Sequence, residues 1–200
     1  MSKPEPVVPA IPPSLPRVKP NAFVRWLGRT ILRLGGWRIR GPLPDLAKAV
    51  VIAAPHSSNW DGLWGLAAKM ALGVEARILG KDKLFWWPLG AVLRRLGVVP
   101  LDRSSPQGTV GQAVAMIQGS ERIWFALAPE GTRKPVKEWK SGFIRIARMA
   151  QVPIVPAYFH YPDKVIGFGE PFHTTGDDAA DMAAIRQWYR PWQGRNRGTV

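Results

Sequence analysis

The sequence predicts an α/β fold, a single domain with a mainly parallel sheet flanked by helices on both faces. The chain has 200 residues, a length that suits one domain with a sizeable core. Beyond residue 44, short apolar runs of strand length alternate with stretches of helical periodicity. Strands that alternate with helices pair mainly in parallel, and the helices cover both faces of such a sheet.

The N-terminal segment is dominated by proline, with seven prolines in residues 1–20. Proline lacks an N–H and fixes φ, so this density excludes a helix or a central strand. We therefore expect residues 1–20 to be an extended, mostly disordered tail. No apolar stretch of the signal-peptide type follows the first basic residue, so we expect no signal peptide.

A basic amphipathic helix is predicted next, over residues 21–40. Asn21 is a candidate N-cap, and the apolar residues after it follow the spacing of one helix face. Arg25, Arg29 and Arg33 recur every four residues on the opposite side. Such a helix either covers the core with its arginines in water or lies in a bilayer interface.

The domain proper is predicted over residues 41–192, followed by a basic tail over 193–200 that we expect to be solvated and mobile. The predicted strands are residues 47–54, 76–80, 97–101, 122–128 and 153–159, with 164–168 as an edge strand. The predicted helices are residues 60–72, 88–96, 108–119, 141–150 and 177–192. In such sheets the reactive groups lie in loops beyond the carboxyl ends of the strands.

The composition restricts the classes of partner and site. The chain has 28 Lys and Arg against 14 Asp and Glu, a formal net charge of +14, which favours nucleic acid or an anionic membrane surface as partner. No apolar run approaches the ~18 residues of a membrane span, so we expect no transmembrane helix. The absence of cysteine excludes disulfides, thiolate metal sites and a cysteine nucleophile.

The segment after the strand at 47–54 contains a histidine and an aspartate, His56 and Asp61. With His56 in the loop and Ser58 or Asn59 capping the next helix, Asp61 falls in the first helical turn. An aspartate there can accept the Nδ1 proton of the histidine and leave Nε2 free as a base. The pair suits deprotonation of a substrate hydroxyl, but the same spacing also occurs in capping and solvated residues.

A second loop follows the strand at 122–128 and reads Pro-Glu-Gly-Thr-Arg. Gly131 permits a tight turn there. Thr132 and Arg133 carry hydrogen-bond donors for an oxyanion, and Glu130 can accept from a hydroxyl or orient the arginine. The loop is therefore a candidate phosphate cradle.

A third strand delivers Asp102 and Arg103 to its end. Alone, these two residues are better explained as a local ion pair beside a turn. With Arg133, however, they provide two arginines from different loops for one phosphate. Together the three loops hold a base, an orienting carboxylate and two arginines, which indicates general-base transfer to a hydroxyl of a phosphate-bearing molecule.

Four short blocks occur in order along the chain. They are a His-x4-Asp box at residues 56–61, a Gly-apolar-Asp-Arg block at 97–103, Pro-Glu-Gly-Thr-Arg at 129–133 and Val-Pro-Ile-Val-Pro at 152–156. This ordered set resembles the glycerolipid acyltransferase family, the lysophosphatidate acyltransferase-like enzymes. The resemblance covers residues 42–161 well and implies a glycerolipid acyltransferase-like fold.

The resemblance also implies a reaction. His56 would be the general base that takes the proton of an acceptor hydroxyl as it attacks an acyl thioester, and Asp61 would orient that histidine. The residues implied to bind the acceptor are Asn59, Arg103, Glu130, Gly131, Thr132 and Arg133. The residues implied to form a wall of the acyl or acceptor channel are Pro153, Ile154 and Pro156. The co-substrate would be acyl-CoA or acyl carrier protein, with no bound cofactor and no metal.

The resemblance leaves the acceptor open. The first block reads Ala-Pro-His where lysophosphatidate enzymes commonly have Asn-His, and the second has Pro100-Leu101 where Phe-Ile is usual. The candidate acceptors are 1-acylglycerol-3-phosphate, another lysolipid, and an amine- or hydroxyl-bearing lipid precursor.

Two stretches are predicted to contact a membrane. The residues concerned are Arg25, Trp26, Arg29 and Arg33 in the first helix and Phe85, Trp86 and Trp87 in a loop. Packing within the domain or lining of an acyl channel is the alternative for the loop. We therefore expect a peripheral membrane protein of phospholipid biosynthesis, on the cytoplasmic face of the inner (cell) membrane in a bacterium, with unknown oligomeric state.

Two other classes of protein account for part of the sequence. A nucleic-acid-binding domain explains the net charge, but it predicts aromatic residues interleaved with arginines on an exposed sheet, whereas these strands are apolar throughout. A non-catalytic lipid-binding relative is disfavoured because His56 and Asp61 are both present. An acyltransferase that binds an anionic membrane and no nucleic acid is the prediction.

Overall fold

A computed structural model describes residues 6–19, 21–100 and 108–198. The strands are β1 (Arg38–Arg40), β2 (Lys48–Ala54), β3 (Ala76–Gly80), β4 (Val98–Pro100), β5 (Ile123–Leu127), β6 (Ile154–His160) and β7 (Val165–Phe168). The helices are α1 (Ala22–Gly35), α2 (Trp60–Leu72), α3 (Leu89–Arg95), α4 (Gly108–Gln118), α5 (Gly142–Ala150) and α6 (Asp178–Tyr189). A single 3₁₀ turn at Asp82–Leu84 precedes α3.

The strands form one sheet in the order β1-β7-β6-β2-β5-β3-β4. Neighbouring strands are parallel except β6 and β7, which are antiparallel. The predicted α/β class with a mainly parallel sheet is confirmed. β2 occupies the centre, and its residues Ala49, Val50, Val51 and Ile52 are all buried. A strand covered on both faces is apolar throughout, which is the pattern that predicted it.

A hydrophobic core lies on each face of the sheet. On one face, Leu32 of α1 and Ala71 of α2 pack with the β2 side chain Val51. On the other face, helices α4, α5 and α6 pack against β2, with Phe143 of α5 and Ile52 in the same cluster. β2 is therefore packed on both faces, and the loop that follows it begins at the centre of the sheet.

Helix α1 lies against α2 at the distance of backbone contact. The Asn21 side chain accepts a hydrogen bond from the Val24 N–H at 3.0 Å, which is the predicted N-cap. Gly36 ends the helix with φ of +73°. The predicted helix over residues 21–40 is therefore too long, because residues 38–40 form β1. A Cβ placed on Gly28 would lie 2.5 Å from the backbone nitrogen of Ala71. Glycine at this position is what lets the two helices approach so closely.

The proline-rich segment is extended, but over residues 6–19 it is packed on the domain, which corrects the predicted disorder there. Leu15 is fully buried, and the Val7 carbonyl accepts a hydrogen bond from the Ile39 N–H at 2.9 Å. Proline prevents a helix or a sheet ladder, but it leaves carbonyl groups and the intervening apolar side chains free to dock. Residues 1–5 lie outside the described part of the chain.

Candidate active site

The carboxyl ends of three neighbouring parallel strands meet at one edge of the sheet. β2 lies between β5 and β6. Just beyond these three strands come His56, Glu130 and Tyr161 respectively. This is the position where open α/β sheets place their reactive groups, as the sequence predicted.

The predicted pair of His56 and Asp61 is assembled in the structure. The Nδ1 atom of His56 lies 3.3 Å from Oδ2 of Asp61. The Asp61 side chain is fully buried, whereas that of His56 is 25% exposed. A carboxylate at Nδ1 favours the tautomer with the proton on Nδ1, so the exposed edge of the ring presents Nε2 as a base.

Asp61 is held by hydrogen bonds from both sides of its carboxylate. The backbone N–H groups of Ser57 and Ser58 each donate to Oδ2 at 2.8 Å. The Tyr161 hydroxyl donates to Oδ1 at 2.5 Å. These donors, together with the N-terminus of α2, stabilise the charged carboxylate and fix its orientation toward His56. Asn59, in contrast, is exposed and makes no capping bond with its side chain.

Tyr161 is a residue of the site that the sequence did not predict. It directly follows β6, and 100 positions separate it from Asp61 in the chain. Burial raises the pKa of Tyr161 well above its ordinary value, and the hydrogen bond to Asp61 and the charge of that carboxylate raise it further. The hydroxyl therefore keeps its proton and acts as a donor to Asp61.

Replacing Tyr161 with phenylalanine removes the hydroxyl that donates to Oδ1 of the buried Asp61. We expect kcat to fall about tenfold, since a hydrogen bond to a charged group is worth ~1.5–3 kcal/mol. Tyr158→Phe is the matched control, because Tyr158 stacks on Trp192 and not on the catalytic pair. Steady-state kinetics of both variants check the prediction, and equal kcat values in the two would contradict it.

Glu130 has a different role from the predicted one. Its side chain is fully buried, one carboxylate oxygen accepts from the His56 backbone N–H at 2.6 Å, and the other accepts from the Arg197 guanidinium. Both oxygens are used within the protein, so Glu130 does not face an acceptor. It ties the loop after β5 to the loop that carries His56.

The rest of the 129–133 loop has the expected turn. Gly131 has φ of +65° and its N–H donates to the Ala128 carbonyl at 3.1 Å. The Thr132 hydroxyl accepts from the Lys134 N–H at 3.2 Å, and Arg133 is exposed. Arg133 is thus the member of the loop available to an external anion. Arg103, the second predicted arginine, lies outside the described residues.

The predicted channel wall lies inside the protein. Ile154 is fully buried in the core beneath α5 and α6, and Pro156 is buried in the same strand. Pro153, just before β6, is half-buried. These residues give β6 its place beside β2 and do not line an open channel, because a central parallel strand is covered on both faces.

A row of indole rings leads from the site into the core. The Trp60 and Trp64 ring centroids are 6.0 Å apart, and those of Trp64 and Trp37 are 5.4 Å apart, both pairs stacked. Trp37 in turn packs at nearly a right angle to the Tyr161 ring, with ring centroids 4.8 Å apart. Trp60, beside Asp61, is 46% exposed, whereas Trp37 is buried.

The residues predicted to contact a membrane are largely exposed. On α1, Arg25, Trp26, Arg29 and Arg33 line an open groove of about 350 Å³. In the loop before α3, Trp86 and Trp87 are 60% and 84% exposed, and Phe85 is half-buried under the Arg94 guanidinium. Among residues 6–19, 21–100 and 108–198, no helix has both the length and the apolar character needed to cross a bilayer.

The C-terminal residues 193–198 are packed on the site, which corrects the predicted solvated and mobile tail for these positions. The Asn196 side chain donates to the Ser57 carbonyl at 2.7 Å. Arg197 donates to Glu130 and to the Lys134 carbonyl, the latter at 2.9 Å. The glycines at both ends of this short stretch signal a turn, but nothing in the sequence indicates what the turn contacts.

No curated protein matches the chain in sequence. Among solved structures, the fold is similar to that of the 1-acyl-sn-glycerophosphate (LPA) acyltransferase PlsC from Thermotoga maritima, with a TM-score of 0.53 and 16% identity. The likeness covers 86% of this chain and 80% of the other, and at this identity it is a likeness of fold. The Acyltransferase family model matches residues 38–160, a segment that includes His56, Asp61 and the 129–133 loop. Because that segment is more than half of the chain, the protein belongs to the Acyltransferase family.

Proposed function

We propose that the protein is a peripheral membrane acyltransferase that moves a fatty acyl group from acyl-CoA or acyl carrier protein to a hydroxyl of a lysophospholipid. The acceptor we propose is 1-acylglycerol-3-phosphate, the lipid named for the Thermotoga maritima relative of similar fold. The observation that carries the proposal is the contact of His56, whose side chain is 25% exposed, with the fully buried Asp61 at 3.3 Å.

The reaction follows from the orientation of His56. As the acceptor oxygen attacks the thioester carbonyl, Nε2 of His56 takes the hydroxyl proton, and the Asp61 carboxylate stabilises the resulting imidazolium. The new ester C–O bond forms, the C–S bond breaks, and the proton passes from His56 to the departing thiolate. The acyl group goes directly to the acceptor, since the chain has no cysteine and no Gly-x-Ser-x-Gly nucleophile.

A donor-by-acceptor screen tests this function. Purified protein is given acyl-CoA or acyl carrier protein with each acceptor class, and release of free thiol is measured together with the acylated product. We expect transfer to 1-acylglycerol-3-phosphate. Transfer only to a different lysolipid, or to an amine- or hydroxyl-bearing lipid precursor, would replace the proposed acceptor and leave the mechanism in place. The absence of transfer to any acceptor would reject the function.

Arg133→Ala tests the binding of the acceptor phosphate. Arg133 is exposed in the loop after β5, and loss of one charged hydrogen-bond partner costs ~1.5–3 kcal/mol. We expect KM for 1-acylglycerol-3-phosphate to rise about tenfold with kcat little changed. Lys137→Ala, an exposed cation of the same loop, is the control. An unchanged KM in the Arg133 variant would argue for an acceptor without a phosphate.

The membrane part of the proposal rests on α1 and on the loop before α3, whose exposed tryptophans lie on a strongly basic protein. Amphipathic rings and arginines of this kind favour the interface of an anionic bilayer. We propose that these two stretches hold the enzyme at the cytoplasmic face of the membrane in which its acceptor resides.

Vesicle binding tests this surface. Deleting the N-terminal residues would uncover the α2 core, so we replace Arg29 and Arg33 with glutamine instead. Each removed cation lowers attraction to an anionic surface by ~1 kcal/mol, so we expect binding to phosphatidylserine-containing vesicles to weaken at least about tenfold. Arg145 and Arg190, both exposed, are replaced in the control with the same change in net charge. Equal loss in both double variants would refute a localised surface, and tight DNA binding without vesicle binding would favour the nucleic-acid alternative.

A further inference from the structure

We propose that residues 193–198 form a strap that fixes the loop carrying His56, and that Arg197 is a positioning residue for acyl transfer. The catalytic part of this proposal rests on the proposed function. The strap itself lies outside residues 38–160, the region that matches the family model.

The strap is anchored where it begins. Trp192 stacks on Tyr158 of β6 with ring centroids 3.7 Å apart. Gln193 then pairs with the end of that strand, since its N–H donates to Nδ1 of His160 at 3.2 Å and its carbonyl accepts from the Tyr161 N–H at 2.9 Å. The first residue of the strap therefore lies next to the tyrosine that binds Asp61.

The strap folds back on itself. An antiparallel bridge joins Gln193 to Gly198, and the Gly194 N–H donates to the Arg197 carbonyl at 3.0 Å. A Cβ on Gly194 would lie 2.7 Å from the Ser57 hydroxyl oxygen, so the turn sits directly on the His56 loop. The turn thus brings two of its side chains, Asn196 and Arg197, against the loops after β2 and β5.

Two sets of hydrogen bonds attach the strap to the catalytic loop. Asn196 donates through its side chain to the Ser57 carbonyl at 2.7 Å and through its backbone N–H to the Ser57 hydroxyl at 3.2 Å. Arg197 binds the buried Glu130 carboxylate, whose other oxygen accepts from the His56 N–H at 2.6 Å. One chain of contacts therefore runs from Arg197 through Glu130 to the backbone of the proposed base.

This arrangement matters because a general base must be held close to its productive position, and small displacements reduce rates strongly. The Glu130 side chain is fully buried, and burying a carboxylate is costly unless it is paired with a cation or fully hydrogen-bonded. Arg197 is that partner, and it also binds the Lys134 carbonyl with the same terminal nitrogen. Without Arg197, the buried Glu130 has no cationic partner, and its position beneath His56 becomes less favourable.

The experiment compares Arg197→Met with Arg190→Met, a control that removes an exposed arginine from the same end of the chain. We expect Arg197→Met to lower kcat about tenfold with KM for the acyl donor within about twofold, because the loss is of positioning. We also expect the amides of His56 and Ser57 to exchange hydrogen at least about tenfold faster. Arg197→Lys, which keeps the charge, should recover part of both.

A double variant separates positioning from general instability. In Arg197→Met/Glu130→Gln no buried charge is left without a partner, so it serves if Arg197→Met alone does not fold. If Arg197 acts through Glu130, this double variant should be no slower in turnover than the slower of the two single variants.

Wild-type kcat and wild-type exchange at His56 in Arg197→Met would overturn the strap, as would an equal kcat loss in Arg190→Met. If the wild-type protein transfers no acyl group, the proposed function fails, whereas the exchange measurement still decides whether the strap holds the loop.

Discussion

His56→Ala is expected to abolish acyl transfer while leaving the protein folded. Among the described residues, His56 is the only histidine in contact with the buried Asp61, and alanine removes its ring. Loss of a general base lowers turnover by about 10²–10⁴-fold. The side chain is 25% exposed and fills no part of the core, so the melting temperature should change little. Thiol release under saturating donor and acceptor is the measurement.

His173→Ala is the control, since His173 is exposed and far from the catalytic loop in the chain. Turnover in the His56 variant within a few-fold of wild type would eliminate the histidine mechanism. A loss of turnover accompanied by unfolding would instead assign His56 a structural role.

Gly28→Ala is expected to give the largest change in stability. The added Cβ would lie 2.5 Å from the Ala71 nitrogen and 2.7 Å from the Ala67 carbonyl oxygen, both backbone atoms of α2. Backbone cannot rotate aside, so α1 must move away from α2 and part of the core on that face is lost. We expect the free energy of unfolding to fall by about 2 kcal/mol, although alanine is the better helix former.

Gly62→Ala is expected to change the free energy of unfolding in the opposite direction. A Cβ on Gly62 in α2 meets nothing within 4 Å. Alanine there restricts the unfolded chain and should raise the free energy of unfolding by ~0.5–1 kcal/mol. Denaturant titration of both variants measures the difference. A Gly28 variant as stable as the Gly62 variant would place α1 further from α2 than the structure has it.

Local patterns sufficed for most elements. The predicted bounds of α2 and β3 agree with the structure. The bounds of α2 are marked locally, since Asp61 lies in its first turn and Gly73 ends it in a left-handed conformation. β1 was not predicted, since three residues with a single buried side chain, Ile39, give no alternation to detect. Its place depends on pairing with β7, at the far end of the sheet.

The contact between His56 and Asp61 was predictable because the two residues are close in sequence, whereas the residues that support them were not. Tyr161 reaches Asp61 only because β6 pairs with β2 in the register that sets Tyr158 beside Ala54. Glu130 was found by its motif but given the wrong role, since its contacts with His56 and Arg197 depend on how distant loops meet. Such contacts follow from register and loop packing, which no local spacing encodes.

The row of stacked indoles gives the molecule an optical property. Trp60 is half in water and adjoins Asp61, and the Arg195 guanidinium lies 5.3 Å from its ring centroid. Its ultraviolet emission therefore depends on the polarity and charge at the mouth of the site, while Trp37 at the buried end of the row is shielded from solvent. The difference in emission between wild type and a Trp60→Phe variant isolates that signal. We therefore expect a ligand that binds beside Trp60 to shift this fluorescence, without any turnover.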